Sequence, residues 1–156
     1  MRYVDHLACS VCGARFSANE PMNLCPNDGR PVQIVMDLPR LAAEQGADGW
    51  WRPDRRNLWR FGGLLPLDPT DETDRDSMIS LGEGHTPCLP YHHPLAEKLG
   101  FRLEVKDEGR HYPDHGKNPT LSFKDRGMAM AVSMARALGL KRLAVPTQGN
   151  AGDSLA

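Results

Sequence analysis

A loop opened by Asn118-Pro119 and running through Thr-Leu-Ser122-Phe into Lys124-Asp-Arg-Gly127 constrains this chain more than any other stretch. Ser122 and Asp125 make an S-x-x-D capping pattern, so a helix starts at Ser122 and carries Lys124 in its first turn. That helix runs from about Phe123 to Leu138, with Gly139 as a left-handed cap. Leu143-Ala-Val is a short buried-strand candidate, followed by the loop Thr147–Gly152 and by Asp153-Ser-Leu-Ala, the beginning of another helix. Upstream, Leu95–Leu99 reads as a short helix ended by Gly100, and Phe101–Lys106 alternates in the manner of a strand. Strand, helix, strand, helix in this order predicts an α/β fold with parallel βαβ units.

The first 36 residues have a different texture. Cys9-Ser-Val-Cys12-Gly13 and Cys25-Pro-Asn-Asp28-Gly29 each place two ligand-type residues two apart and follow them with glycine. This is the pattern of a zinc knuckle, in which the glycine lets backbone N–H groups turn towards a metal-bound sulfur. Cys9, Cys12, Cys25 and Asp28 are the candidate ligands. Carboxylate ligates zinc, but three thiolates with one carboxylate is an uncommon structural set, and a degenerate, metal-free knuckle stays open beside it. The clustering argues against a disulfide framework, and Cys88 stands apart.

Residues 37–79 form a polar linker. Leu38–Gln45 predicts one short helix ending at Gly46. Trp50, Trp51, Trp59 and Phe61 then fall among prolines and charges, which reads as a surface arm docking its aromatics onto a neighbouring domain. The acidic run Asp68–Asp76 reads as a solvated loop.

Bulk properties exclude some functions. With 156 residues and a net charge of −1, there is no electrostatic reason to expect nucleic acid or an anionic membrane as partner. No apolar stretch approaches the roughly 20 residues that span a bilayer. Met-Arg-Tyr-Val-Asp-His is not a secretory signal, so the expected compartment is the cytoplasm.

Lys124, at the positive end of a helix dipole, is a candidate covalent anchor for an aldehyde, because that field makes the neutral, nucleophilic amine easier to reach. Thr147-Gln-Gly-Asn150-Ala-Gly follows a strand candidate, the position at which α/β sheets bind ligands. It is neither a P-loop nor a G-x-G-x-x-G turn.

These motifs carry a resemblance. Leu81-Gly-Glu-Gly-His-Thr-Pro87, Val105-Lys-Asp-Glu-Gly109, the Asn118–Gly127 run and Gly149-Asn150 resemble threonine synthase, a pyridoxal-phosphate enzyme of fold type II, the tryptophan synthase β-like class. The knuckle and Leu58–Pro66 are similar to the version of that family with a cysteine-rich N-terminal extension. The resemblance implies that 80–156 is the beginning of the cofactor-dependent α/β domain, after a zinc-ribbon-like segment (1–36) and a docking arm (37–79). It implies that Lys124 holds the cofactor covalently and moves protons at the substrate's α and β carbons. Asn150 would hydrogen-bond the cofactor's 3-hydroxyl, and Phe123 would pack beside its ring. Thr147, Gln148 and Gly149 would hold the carboxylate of a small amino-acid substrate. The implied reaction is that of a lyase of amino-acid biosynthesis, converting O-phosphohomoserine and water to threonine and phosphate.

This chain departs from the family's pattern in three places. Leu121 stands where the family usually has Gly, 110–117 holds extra residues including His111 and His115, and Gln148 and Ala151 replace frequent threonines. The histidines read as solvated loop residues. These departures leave other members of the class open: a dehydratase, an ammonia-lyase or a cysteate synthase. A non-catalytic zinc-ribbon remnant is the rival from outside enzymes. The resemblance places the phosphate cup and the partner of the pyridine nitrogen downstream, so these residues are expected to be an inactive N-terminal fragment. Homo-oligomerisation of the complete protein is left open.

Overall fold

The computed structural model describes residues 3–156. It is a mixed α/β structure with small sheets, and its contacts divide it into two compact units. The first takes in the chain up to Arg55, Trp59–Met78 and Val132–Leu143; the second takes in Arg56–Leu58, Ile79–Ala131 and Ala144–Ala156.

In the first unit, β1 (Val4–Cys9) lies between β2 (Arg15–Phe16) and β3 (Val32–Met36), antiparallel to both. Leu7 sits opposite both Phe16 and Ile34, and Cys9 opposite Val32. Along β1 the period of two turns Leu7 and Cys9 inward, as alternation across a half-buried sheet requires. The next element is α1 (Leu38–Gln45), with the predicted bounds. The Asp37 carboxylate accepts from the Arg40 N–H at 3.0 Å, and Gly46 ends the helix at φ 80°. Asp37 thereby satisfies one of the donors that every helix start leaves unpaired.

The aromatic stretch is not loose. Trp59 and Leu67 are fully buried, while Trp51 packs against Trp50 and Phe61 with the Arg60 guanidinium 4.1 Å over its ring. Gly62 and Gly63 let this layer close. A Cβ on Gly62 would fall 2.2 Å from the Pro69 ring, and one on Gly63 would fall 2.6 Å from the Gly49 carbonyl oxygen. The expected solvated loop at Asp68–Asp76 is corrected. Asp71 caps a short helix, α2 (Glu72–Ser77), and the side chains of Asp68 and Asp74 are buried. Asp74 accepts from the Asp68 N–H at 3.0 Å, and Arg52 reaches the Asp68 carboxylate at 3.6 Å. Acidic residues count as solvated only until local N–H groups and a cation supply their partners.

In the second unit, β4 (Cys88–Pro90) pairs with β5 (Glu104–Lys106), with Cys88 opposite Lys106. Between them α3 (Pro94–Leu99) is capped by the His93 ring and ended by Gly100 in the left-handed region. The pairing is antiparallel, not the parallel arrangement predicted, and Leu143–Val145 forms no strand. A strand exists through its neighbour's hydrogen bonds; apolar spacing in 143–145 signals capacity for burial, and no described strand offers it a ladder. This unit also holds the start of α4 (Lys124–Ala137), whose residues from Val132 onwards belong to the first unit, and α5 (Asn150–Leu155). Gly139, at φ 69°, follows α4 as the sequence predicts.

Two positions in this unit hold unusual states. Glu83 is 1% exposed; its Oε2 accepts from the Ser80 hydroxyl and the Leu81 N–H, and its Oε1 has no partner. Burial pushes this carboxyl above the ordinary carboxylate range, opposed by those hydrogen bonds and assisted by the nearby Asp125 charge. Leu121 has φ +60° with its side chain 56% exposed, a backbone region costing a non-glycine residue about 1–2 kcal/mol.

Glu83 binds a proton in the folded chain at pH values where the unfolded chain has lost it, so its contribution to stability falls as pH rises. Urea titrations between roughly pH 4 and 8 should show Glu83→Gln gaining stability relative to the wild type as pH rises; parallel curves would refute the assignment. Leu121→Gly should raise stability by about 1 kcal/mol, strain relief exceeding the added flexibility of the unfolded chain. A lower denaturation midpoint would mean that the leucine side chain contributes more than its backbone costs.

Candidate functional site

Lys124 is placed by the loop before it. Asn118 is fully buried: its Oδ1 accepts from the Gly84 N–H at 3.2 Å, and its Nδ2 donates to the Glu108 carboxylate at 2.7 Å and the Glu108 carbonyl at 3.1 Å. Glu108 also takes both arms of the Arg126 fork, at 2.7 and 3.1 Å, and accepts from the Thr86 hydroxyl at 3.1 Å. Burial alone would raise the Glu108 carboxyl, but the Arg126 and Asn118 hydrogen bonds hold it below the usual range. Lys106 closes the group by donating to the Thr86 carbonyl at 2.6 Å.

The capping differs from the simple reciprocal box. The Ser122 hydroxyl accepts from the Lys124 N–H at 3.2 Å. The Asp125 carboxylate reaches further back, accepting from the Thr120 N–H at 2.9 Å and the Thr120 hydroxyl at 2.6 Å. The loop and the first turn of α4 are thus tied twice, through Asp125 to Thr120 and through Arg126 and Glu108 to Asn118.

The Lys124 side chain ends 4.5 Å from the centre of the Phe123 ring, which is 57% exposed. It lines an open cavity of about 400 Å³ whose other walls are Pro146, Thr147, Gln148, Gly149, Asn150 and Ala151. Lys124 is the sole charged side chain among these. The Thr147 hydroxyl accepts from the N–H groups of Gly149 and Gly152, at 3.0 and 2.9 Å, and donates to the Gly149 carbonyl at 3.0 Å. Its polar group therefore belongs to the turn, which Gly149 completes at φ 140°, a conformation reserved for glycine. Lys124 and the turn 147–150 come together, with Phe123 beside the lysine; neither Phe123 nor Leu121 is among the cavity's walls. His111 and His115 are exposed, with the His115 ring 5.7 Å from that of His85.

A cofactor presenting an aldehyde and a ring hydroxyl fits these groups. One amine, on Lys124, and two carboxamides, on Gln148 and Asn150, line the same cavity, whose size is in the range of cofactor sites. The charge available for a phosphate is limited to Lys124 itself.

The cysteine cluster lies in the first unit. One ligand atom from each of Cys9, Cys12, Cys25 and Asp28 lies within 4.8 Å of all the others. Both turns have the knuckle form: Gly13 and Gly29, at φ 71° and 66°, donate to the carbonyls of Cys9 and Cys25. The N–H groups of Val11 and Cys12 point at the Cys9 sulfur, each at 3.4 Å. Burial pushes the Cys25 thiol up to about 11. Burial would raise Cys9 too, but its backbone hydrogen bonds hold it below the ordinary value, and the Arg30 N–H does the same for Asp28. Cys12 and Cys25 sulfurs are 3.7 Å apart, close to the roughly 3.8 Å edge of a tetrahedron with Zn–S bonds of about 2.3 Å. The donor set and its spacing fit a tetrahedral zinc ion.

Sequence reasoning did not single out Glu108, Arg126, Asn118, Thr86 or Glu83 as individual contributors. Their signal was present as charged, amide or hydroxyl residues inside three separate short motifs, each lacking an evident partner until the fold joined them.

No family model and no solved structure matches the chain. It is similar to threonine synthase of Methanosarcina acetivorans, 31% identical over 97% of this chain. It is also similar to threonine synthase of Methanocaldococcus jannaschii, 32% identical over 95%, and in each case it covers 33% of the relative. Threonine synthase of Halalkalibacterium halodurans is 39% identical over 60% of the chain, covering 23% of that protein. The chain thus spans about a third, or less, of the length of these curated relatives. Homologues named threonine synthase cover it at 31–40% identity, so the resemblance read from the motifs is borne out, and the chain is consistent with a fragment of such a protein.

Proposed function

We propose that this chain is the cofactor-lysine portion of a threonine synthase-like lyase with a fold-type-II catalytic domain. That protein would use pyridoxal phosphate to convert O-phosphohomoserine and water to threonine and phosphate in the cytoplasm. The observation that carries the proposal is that Lys124 and Asn150, 26 positions apart, face one cavity in a chain similar to threonine synthases nearly end to end. When bound, pyridoxal phosphate supplies the electron sink for carbanion chemistry at the substrate. Lys124 would hold the cofactor's aldehyde carbon through Nζ and, once its amine is free again, would carry protons at the substrate's α and β carbons. Asn150 would donate to the ring hydroxyl. Phe123 would present an apolar face beside the lysine, and the turn of Thr147, Gln148 and Gly149 would receive the substrate carboxylate, with the Gly149 N–H already held by the Thr147 hydroxyl. The similarity covers a third of each relative, so turnover is assigned to the whole protein.

The knuckle is assigned a structural zinc held by Cys9, Cys12, Cys25 and Asp28 in a ribbon-like segment. Zinc would replace the thiol protons and cross-link two turns 16 positions apart, each with one buried cysteine, Cys9 and Cys25.

Borohydride reduction with pyridoxal phosphate should fix the cofactor on Lys124, read by peptide mass spectrometry, and Lys124→Ala should abolish the label. Fixation spread over exposed lysines instead would remove the enzyme reading and favour the zinc-ribbon remnant. Purified chain should contain about one zinc per molecule, and chelation should speed amide exchange in 9–29. Asp28→Cys should tighten zinc in competition with a chelator, and Asp28→Ala should weaken it by roughly 10–100-fold. Equal affinity in all three would exclude Asp28 as a ligand.

A further inference from the structure

We propose that Glu108 is a positioning residue for Lys124, acting through Arg126 and Asn118; this rests on the assignment of Lys124 as the cofactor-holding lysine. Glu108 is not among the cavity's walls. It lies just past β5 and binds both ends of the segment that delivers the lysine: Asn118 Nδ2 at 2.7 Å at the start of the loop, and the Arg126 fork at 2.7 and 3.1 Å in the first turn of α4. Lys124 sits between those two anchors, six residues after one and two before the other.

The chemistry suits that task. Arg126 and Glu108 are 28% and 26% exposed at their side chains, so the pair is shielded enough to hold one geometry, and the bidentate fork fixes direction as well as distance. Asn118 has no exposure at all, so all its bonds must come from within. Glu108 supplies two acceptors, its own carbonyl and its carboxylate, and the Gly84 N–H supplies the donor. Thr86 is shared by Glu108 and Arg126, at 3.1 and 3.0 Å, which locks the carboxylate plane. A loop held this way presents one amine orientation to the cavity. The left-handed Leu121 in its middle shows that the surrounding bonds override a local backbone preference.

The test uses the chain with Glu108→Gln, Glu108→Asp and Arg126→Lys. Two rates are read by mass spectrometry: borohydride fixation of pyridoxal phosphate at Lys124, and acetylation of Lys124 by acetic anhydride. Exposed Lys98 and Lys141 are internal controls, and each variant's folded fraction is measured by circular dichroism. Glu108→Gln and Arg126→Lys should each slow fixation at Lys124 on the order of tenfold and change its acetylation relative to the controls, with Glu108→Asp recovering most of the loss. Unchanged Lys124-to-control ratios in folded variants would overturn the proposal and leave Glu108 a stabilising residue only. If Glu108→Gln does not fold, Arg126→Lys, which keeps the charge and loses the fork, decides by the same ratios. If wild-type Lys124 takes no cofactor, the assignment of the lysine fails, and the acetylation ratios still decide whether Glu108 sets its presentation.

Discussion

The second unit depends on one carboxylate. Glu108 accepts from Arg126, Asn118 and Thr86, which come from the glycine-rich turn before β4, the loop before α4, and the first turn of α4. Hydrogen bonds to a charged group contribute about 1.5–3 kcal/mol each, and losing one partner costs more when the other is buried. Asn118, fully buried, would be left with an unsatisfied amide. The network is therefore closer to all-or-none than a sum of contacts, which is how satisfied polar clusters specify one arrangement.

That network fixes the loop that leads into α4, whose first residue is Lys124. Loops are ordinarily the mobile parts of a domain. Here the chain from Asn118 to Arg126 is bonded at both ends and once across its middle by Asp125 to Thr120, so the amine is delivered from something nearer to a bracket. The opposite wall is fixed differently: the Thr147 hydroxyl organises its own turn with three hydrogen bonds. One wall is held by ion pairing between segments and the other by a short-range turn.

Legibility in the sequence followed the range of the forces involved. Helix α1 was readable to the residue because its end signal, Gly46, acts on the turn next to it. The same holds for the Gly100 and Gly139 caps and for the two cysteine turns, whose glycines were read directly as conformational requirements. What failed was non-local. The parallel pairing required knowing which strand β5 would meet, and it met β4. The acidic stretch required knowing that Arg52 and backbone N–H groups would enclose Asp68. Lys124 and the 147–150 turn stood out because each carries a local mark, a helix start or a glycine turn. Glu108 carries none, and its role is set by three partners that the sequence scatters.

The distribution of roles also bears on what the resemblance can specify. Within Gly82–Pro87, Val105–Gly109 and Asn118–Gly127, the residues with side-chain partners are mostly bonded to one another: Thr86, Glu108, Asn118 and Arg126 in one group, Thr120 and Asp125 in another. Lys124 alone among them reaches the cavity. The motifs that mark this chain as threonine synthase-like are thus mainly a frame for holding a lysine and a neighbouring turn. A frame of that kind can serve any reaction that begins with an amine on an aldehyde. Discrimination among phosphorylated and unphosphorylated substrates needs groups that face the substrate's far end, and the cavity walls here provide one cation and an uncharged turn.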